Sequence, residues 1–221
     1  HGINKKNKIN FSNKKKNILF VGKLNHAKGY HIFVEAALKF KKIDPSWNFI
    51  AIGNEARKEI FPDKSVIKEI GYKKNSEVLN YYSNSEIAVG NSVWNEPLGR
   101  IAIEASSRKC LPIISNKGGL AESKSIAVVL KDNTSSELVN ILKKITQNKL
   151  LRRQKQKLFY KNNNFDIKKI SKMLDNARAE ITTNKINTYN TDKKRILHVA
   201  NFNENSDGRL YYSFANKLNN G

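Results

Sequence analysis

Short apolar runs recur near residues 18–21, 48–52, 66–70, 86–90, 111–114 and 126–130, and between them the apolar positions widen to helical spacing. Runs of this length bounded by turn-forming residues predict buried strands. Stretches 27–42, 75–83, 98–108 and 135–147 predict helices, the first carrying Phe33, Ala37 and Phe40 on one face. Alternation of the two predicts an α/β fold: a Rossmann-like parallel sheet with helices on both faces and ligands gathering at the carboxyl ends of the strands. Residues 150–181 then read as one or two basic helices, with Ile167, Ile170, Met173 and Leu174 at helical spacing and packing against the sheet as their expected role. Residues 182–194 read as a polar linker and residues 195–202 as a new strand, followed by a short helical pattern to Gly221.

Composition narrows this picture. The chain has 221 residues and 39% hydrophobic content, enough for one sizeable core. Cys110 is the single cysteine, so neither an intramolecular disulfide nor a cysteine-based metal cluster is available; beside the run 111–114 it reads as a small buried residue. No run approaches the roughly 20 apolar residues needed to cross a bilayer, and no stretch reads as a secretory signal. The expected location is cytoplasmic, or peripheral at the inner face of the membrane. A net charge of +22, from 41 Lys and Arg against 19 Asp and Glu, attracts anions. Charge alone does not choose among nucleic acid, anionic lipid and phosphorylated glycan. The absence of a helix-turn-helix, zinc-finger or aromatic-basic RNA signature ranks a specific nucleic acid below an anionic membrane surface or a phosphorylated glycan.

Three segments carry chemistry. In Glu96-Pro97-Leu98-Gly99-Arg100-Ile101-Ala102-Ile103-Glu104 two acids flank a predicted helix start, where Pro97 suits the first helical position because it has no N–H to leave unpaired. Gly99 lets the free amides of the first turn lie close to an anion. Glu104 falls roughly 9–12 Å along the helix from Glu96 at 1.5 Å per residue, and a carboxylate there accepts from two vicinal hydroxyls. The second segment, Gly22-Lys23-Leu24-Asn25-His26-Ala27-Lys28-Gly29, follows a strand and precedes a helix, so Lys23 and Lys28 could direct ammonium groups at a diphosphate. Separately, each lysine also fits a solvated surface in so lysine-rich a chain, and His26 reads as a solvated loop histidine. The third is the turn Gly118-Gly119 within residues 115–122, whose adjacent glycines permit a tight backbone path. Gly71-Tyr72 adds a weaker signal.

Together these residues resemble the retaining GT-B glycosyltransferases called group 1 or family 4, specifically their carboxy-terminal, donor-binding half. Glu96 and Glu104 match the glutamate pair of the Glu-Pro-Phe-Gly motif, with Leu98 replacing the usual aromatic. Lys23 stands where the family has arginine, which substitutes a point charge for a planar fork, and Lys28-Gly29 keeps the family spacing. The Gly118-Gly119 loop and Gly71-Tyr72 resemble segments flanking the donor pocket and the nucleobase. The resemblance implies a nucleoside diphosphate sugar as donor, with no further cofactor and no metal. It assigns Glu96, Lys23 and Lys28 to the chemistry, and Gly22, Pro97, Leu98, Gly99, Arg100, Glu104, Gly71, Tyr72, Gly118 and Gly119 to donor binding. It also implies hexose transfer to a glycan or lipid-linked acceptor, as in cell-envelope polysaccharide synthesis, with an amino-terminal acceptor half outside this chain.

The implied organisation is a flexible basic hinge over residues 1–16, a nucleotide-sugar-binding domain over 17–181, a linker over 182–194, and over 195–221 either a further domain's start or a crossing strand and helix. Rival readings are a non-catalytic basic module for nucleic acid or anionic membrane, and a GT-B-like sugar-nucleotide epimerase. A phosphorylase would need a cofactor lysine that no segment supplies.

Overall fold

The computed structural model describes residue 3 and residues 9–187, with side chains to residue 181. The described residues up to 177 belong to one compact unit and residues 178–187 to a second. Residues 182–187 of the expected linker are helical, and the rest of it and the expected strand at 195–202 lie outside the described residues, as do residues 1, 2 and 4–8 of the hinge.

Six strands, β1 (Lys15–Val21), β2 (Asn48–Ile52), β3 (Ile67–Glu69), β4 (Ser85–Gly90), β5 (Leu111–Ser115) and β6 (Val128–Leu130), pair in parallel in the order β3-β2-β1-β4-β5-β6. The helices are α1 (Tyr30–Lys41), α2 (Asn75–Asn84), α3 (Arg100–Ser107), α4 (Ser135–Gln147), α5 (Lys149–Asn162) and α6 (Ile167–Asn187). Alternate side chains of β1 face opposite ways. Ile18 and Phe20 join Phe33, Phe40, Leu138 and Leu142 of α1 and α4, whereas Leu19 joins Val78 and Tyr82 of α2 and Ala105 of α3. Both faces are covered, which is why the central strands read as unbroken apolar runs.

Three expectations need correction. β3 holds three residues rather than five, because it is an edge strand whose Lys68 and Glu69 are exposed. β6 starts at Val128, because Gly118–Ile126 coils into a 3-10 helix. The basic carboxy-terminal region packs on the domain through α5 and the residues just after it: Phe159 is buried, Phe165 packs on the core, and Arg153 makes a two-pronged ion pair with buried Glu86 of β4 at 2.5 and 2.6 Å. With that place taken, Ile167, Met173 and Leu174 of α6 are left 42%, 58% and 55% exposed.

The amino-terminal lead-in contributes to the fold as well. Ile3 bridges Asp166, and β1 begins at Lys15, within the stretch read as hinge. Lys14 is buried, its ammonium donating to the carbonyls of Tyr82, Ser83, Ser85 and Arg108 at 3.0, 3.0, 2.8 and 3.2 Å. One cation thereby gathers the Tyr82 and Ser83 carbonyls at the end of α2, that of Ser85 at the start of β4 and that of Arg108 just past α3; Tyr82 O also accepts from Ser85 N.

Candidate functional site

The sheet order turns between β1 and β4, and a crevice opens outside the carboxyl ends of two such strands. The loops after them are stitched together. Val93 N and Ser92 Oγ donate to the Ala27 carbonyl, each at 3.0 Å, and Asn91 Nδ2 donates to the Gly29 carbonyl at 2.8 Å. α1 and α3 both start at a glycine in the left-handed region, Gly29 at φ 74° and Gly99 at φ 66°, and neither helix has a side-chain cap. α4 and α5, by contrast, are capped by Thr134 and Asn148. Tyr30 N donates to the Asn25 carbonyl at 3.1 Å, and the remaining first-turn amides of these two helices, without side-chain caps, concentrate partial positive charge at the crevice.

Across this crevice Lys28 Nζ meets Glu96 Oε1 at 2.5 Å. Trp94 Nε1 donates to the same oxygen at 3.2 Å, and the ammonium lies 5.2 Å from the Trp94 ring centre. Glu104, on the fifth residue of α3, is buried; Arg100 approaches its Oε1 at 2.7 Å and Asn75 Nδ2 donates to it at 3.2 Å. Burial holds the Glu104 carboxyl above its ordinary 4.5, against the opposing pull of Arg100 and Asn75.

The helix start differs from the sequence expectation. α3 begins at Arg100, so Pro97 is not its first residue; Glu96, Pro97 and Leu98 form a loop ahead of the Gly99 cap. Glu104 then lies only about 6 Å along the axis from the first helical residue at 1.5 Å per residue. The glycines hold this loop against its neighbours. Gly119 N donates to the Glu96 carbonyl at 2.5 Å, and a Cβ on Gly118 or Gly119 would collide with the Glu96, Pro97 or Leu98 backbone. A Cβ on Gly99 would strike Leu120. Gly99→Ala is expected to destabilise the fold by about 2 kcal/mol, from the left-handed backbone and the collision together; urea denaturation checks this, and a loss below about 0.5 kcal/mol would contradict it.

The sequence pattern of the family described as "Glycosyl transferases group 1" matches residues 3–164. The chain belongs to that family. Over 121 residues it is 31% identical to spore coat protein SA of Bacillus subtilis (strain 168), covering 49% of this chain and 32% of that protein. Over 113 residues it is 26% identical to a glycogen synthase of Mycobacterium tuberculosis, covering 48% and 27%. The matched part thus spans about a third or less of these relatives' lengths. Among solved structures, Anabaena Alr3699/HepE in complex with UDP-glucose matches with a TM-score of 0.63 at 17% identity, over 75% of this chain and 49% of that one. The C-terminal domain of the group 1 protein LpcC from Francisella tularensis matches at 0.61 and 22%, over 71% and 89%. The expected Rossmann-like sheet of the GT-B fold is the one found.

In this group 1 domain the expected residues fall in two places. Lys28, Glu96, Gly99, Arg100 and Glu104 border the crevice, as do the Gly22 turn and exposed Lys23 at its β1 side. Pro97 is exposed, whereas half-buried Leu98 packs on the core. Gly71 and Tyr72 stand after edge strand β3, two strands from the turn in sheet order, with Gly71 linked to Gly53 by a 3.0 Å backbone bond and Tyr72 exposed. Cys110 is fully buried and its thiol is pushed up to about 12 by desolvation, which leaves it inert as a nucleophile.

Several contacts had no reading in the sequence. The loop after β2 reaches over the Lys23–Lys28 loop: Glu55 accepts from Asn25 Nδ2 at 2.6 Å, and Glu59 meets His26 Nδ1 at 2.7 Å. His26 stacks on His31 and Phe61, with ring centres 4.6 and 5.1 Å apart, while its side chain stays 52% exposed, in keeping with a solvated loop histidine. Trp94, two residues before Glu96, was within reach of a motif reading; Asn75, 29 residues from Glu104, was not.

Proposed function

We propose that this chain is the donor-binding half of a retaining glycosyltransferase that moves a hexose from a nucleoside diphosphate sugar to a glycan or lipid-linked acceptor without a metal. The observation that carries this is the Lys28–Glu96 pair, set across the β1/β4 crevice beside two helix starts without side-chain caps. A diphosphate is the ligand such a place favours: the amides and Lys28 stabilise charge that grows on the leaving group during transfer. Glu96 would then accept from hexose hydroxyls and Glu104 from the ribose diol, with Lys23 a second cation at the phosphates and Gly71-Tyr72 beside the base. The structure of Alr3699/HepE with UDP-glucose supports a nucleotide sugar as ligand class. Acceptor contacts would come from an amino-terminal half. A cytoplasmic location, free or at the inner membrane face, fits that chemistry, and among the described residues no helix is long and apolar enough to cross a membrane.

A melting screen with UDP, GDP and ADP tests the reading. One of them at a hundredfold excess over its dissociation constant should stabilise the protein by about 2.7 kcal/mol, and Lys28→Ala should weaken that diphosphate more than the matching nucleoside. No shift with any of the three, alongside salt-sensitive binding of nucleic acid or anionic vesicles, would favour the non-catalytic basic module instead.

A further inference from the structure

We infer that Trp94 and Asn75 are positioning residues for the two site glutamates, and that they share one design. This rests on the donor-site reading above. Each glutamate receives two donors on its Oε1: one cation and one neutral N–H. For Glu96 they are Lys28 and the Trp94 indole; for Glu104 they are Arg100 and the Asn75 amide. The two kinds of donor behave differently when a diphosphate arrives. An ammonium or guanidinium is drawn toward the phosphate charge, which competes for it with the carboxylate. A neutral N–H is drawn far less and stays on its oxygen.

The cation alone would therefore release its carboxylate at the moment the sugar has to be read. The indole and the amide keep Oε1 occupied, so each glutamate retains its orientation and meets ligand hydroxyls with its other oxygen. Trp94 has a second hold on the arrangement, because its ring lies under the Lys28 ammonium. Its ring is 46% exposed, so packing does not account for a tryptophan at this position. Asn75 opens α2 and is likewise exposed, which leaves the Glu104 contact as its described side-chain partner.

The test uses Trp94→Phe, which keeps a ring but lacks the indole N–H, and Asn75→Ala. Probes are whichever of UDP, GDP or ADP gives the largest melting shift, its 2′-deoxy form, and its hexose conjugate (UDP-glucose, GDP-mannose or ADP-glucose). Trp94→Phe should weaken the hexose conjugate about fivefold and the bare diphosphate less than twofold. Asn75→Ala should cut the preference for the ribo over the 2′-deoxy diphosphate about fivefold and leave the effect of the hexose unchanged. In a Glu104→Gln background Asn75→Ala should add nothing. A merely structural loss would weaken all three probes alike, and that outcome overturns the inference, as do unchanged ratios in variants of a wild type that binds. If the wild type binds none of the diphosphates, the donor-site reading itself fails, and the inference with it.

Discussion

Glu104→Gln is expected to raise the melting temperature of the empty protein by about 2–4 °C, equivalent to about 1 kcal/mol in a domain of this size, while removing most of its stabilisation by a nucleoside diphosphate. The two effects have one cause. Burial lifts the Glu104 carboxyl above its ordinary 4.5 even with Arg100 and Asn75 beside it. The folded chain therefore binds this proton more tightly than the unfolded chain, and the stability contributed by the group falls as pH rises upward from 4.5. At neutral pH the ionised side chain is a cost to the empty fold, which a neutral amide of the same shape avoids. Arg100 loses little by the change because it is half exposed. In the proposed complex the balance reverses, since the carboxylate accepts from two ribose hydroxyls. Losing that charged acceptor should weaken binding by about 2 kcal/mol, roughly thirtyfold, so the 2.7 kcal/mol stabilisation at a hundredfold excess should shrink to about 0.9 kcal/mol. Differential scanning fluorimetry with and without ligand reads both. An empty variant that melts lower, together with an undiminished ligand shift, would remove Glu104 from the site.

The largest loss of stability is expected from Lys14→Met, about 4 kcal/mol by urea denaturation. Methionine fills similar volume but abandons four carbonyl oxygens that the ammonium now satisfies. Burial lowers the Lys14 pKa to about 8, with the Glu86 charge acting the other way. Between about 8 and the ordinary 10.5 the unfolded chain binds the proton that the folded chain has released, so the stability contributed by Lys14 should rise with pH across that window. The stability difference between wild type and Lys14→Met isolates this from the other lysines, and it should widen from pH 8 to pH 10. A variant that loses under 1 kcal/mol would show that the carbonyls find other donors.

Group 1 membership bears on how such a site can work before any ligand is present. In the empty protein both acids are already paired with cations, Lys28 on Glu96 and Arg100 on Glu104. Neither charge stands bare in a crevice lined with partial positive amides. In the proposed complex a diphosphate would replace carboxylates as the partner of the cations, and hydroxyls would replace cations as the partners of the acids. Exchange of this kind avoids the desolvation penalty of isolated buried ions.

Periodicity along the chain was sufficient for the α/β class, for the ends of β2, β4 and β5 to within a residue, and for the four helices between residues 27 and 147. Those features are local: an apolar run or a 3.6-residue spacing is written in neighbouring residues, and packing against both sheet faces only reinforces it. The same holds for Glu96, Glu104 and Lys28, whose spacing around glycines marks them within a few residues. Strand order is not local in this sense. That β1 and β4 lie side by side, and so bring Lys28 to Glu96 across 68 residues of chain, depends on a right-handed crossover reversing direction at one point in the sheet. The α3 start also shifted to Arg100, because the backbone of Gly118 and Gly119 holds residues 96–98 out of the helix. Lys14 looked like one more lysine in a basic lead-in, and became a buried cation only because the ends of α2 and α3 converge on it. Whether an exposed-looking polar residue is solvated or enclosed depends on what the folded chain brings from far away, and short-range spacing carries no record of that.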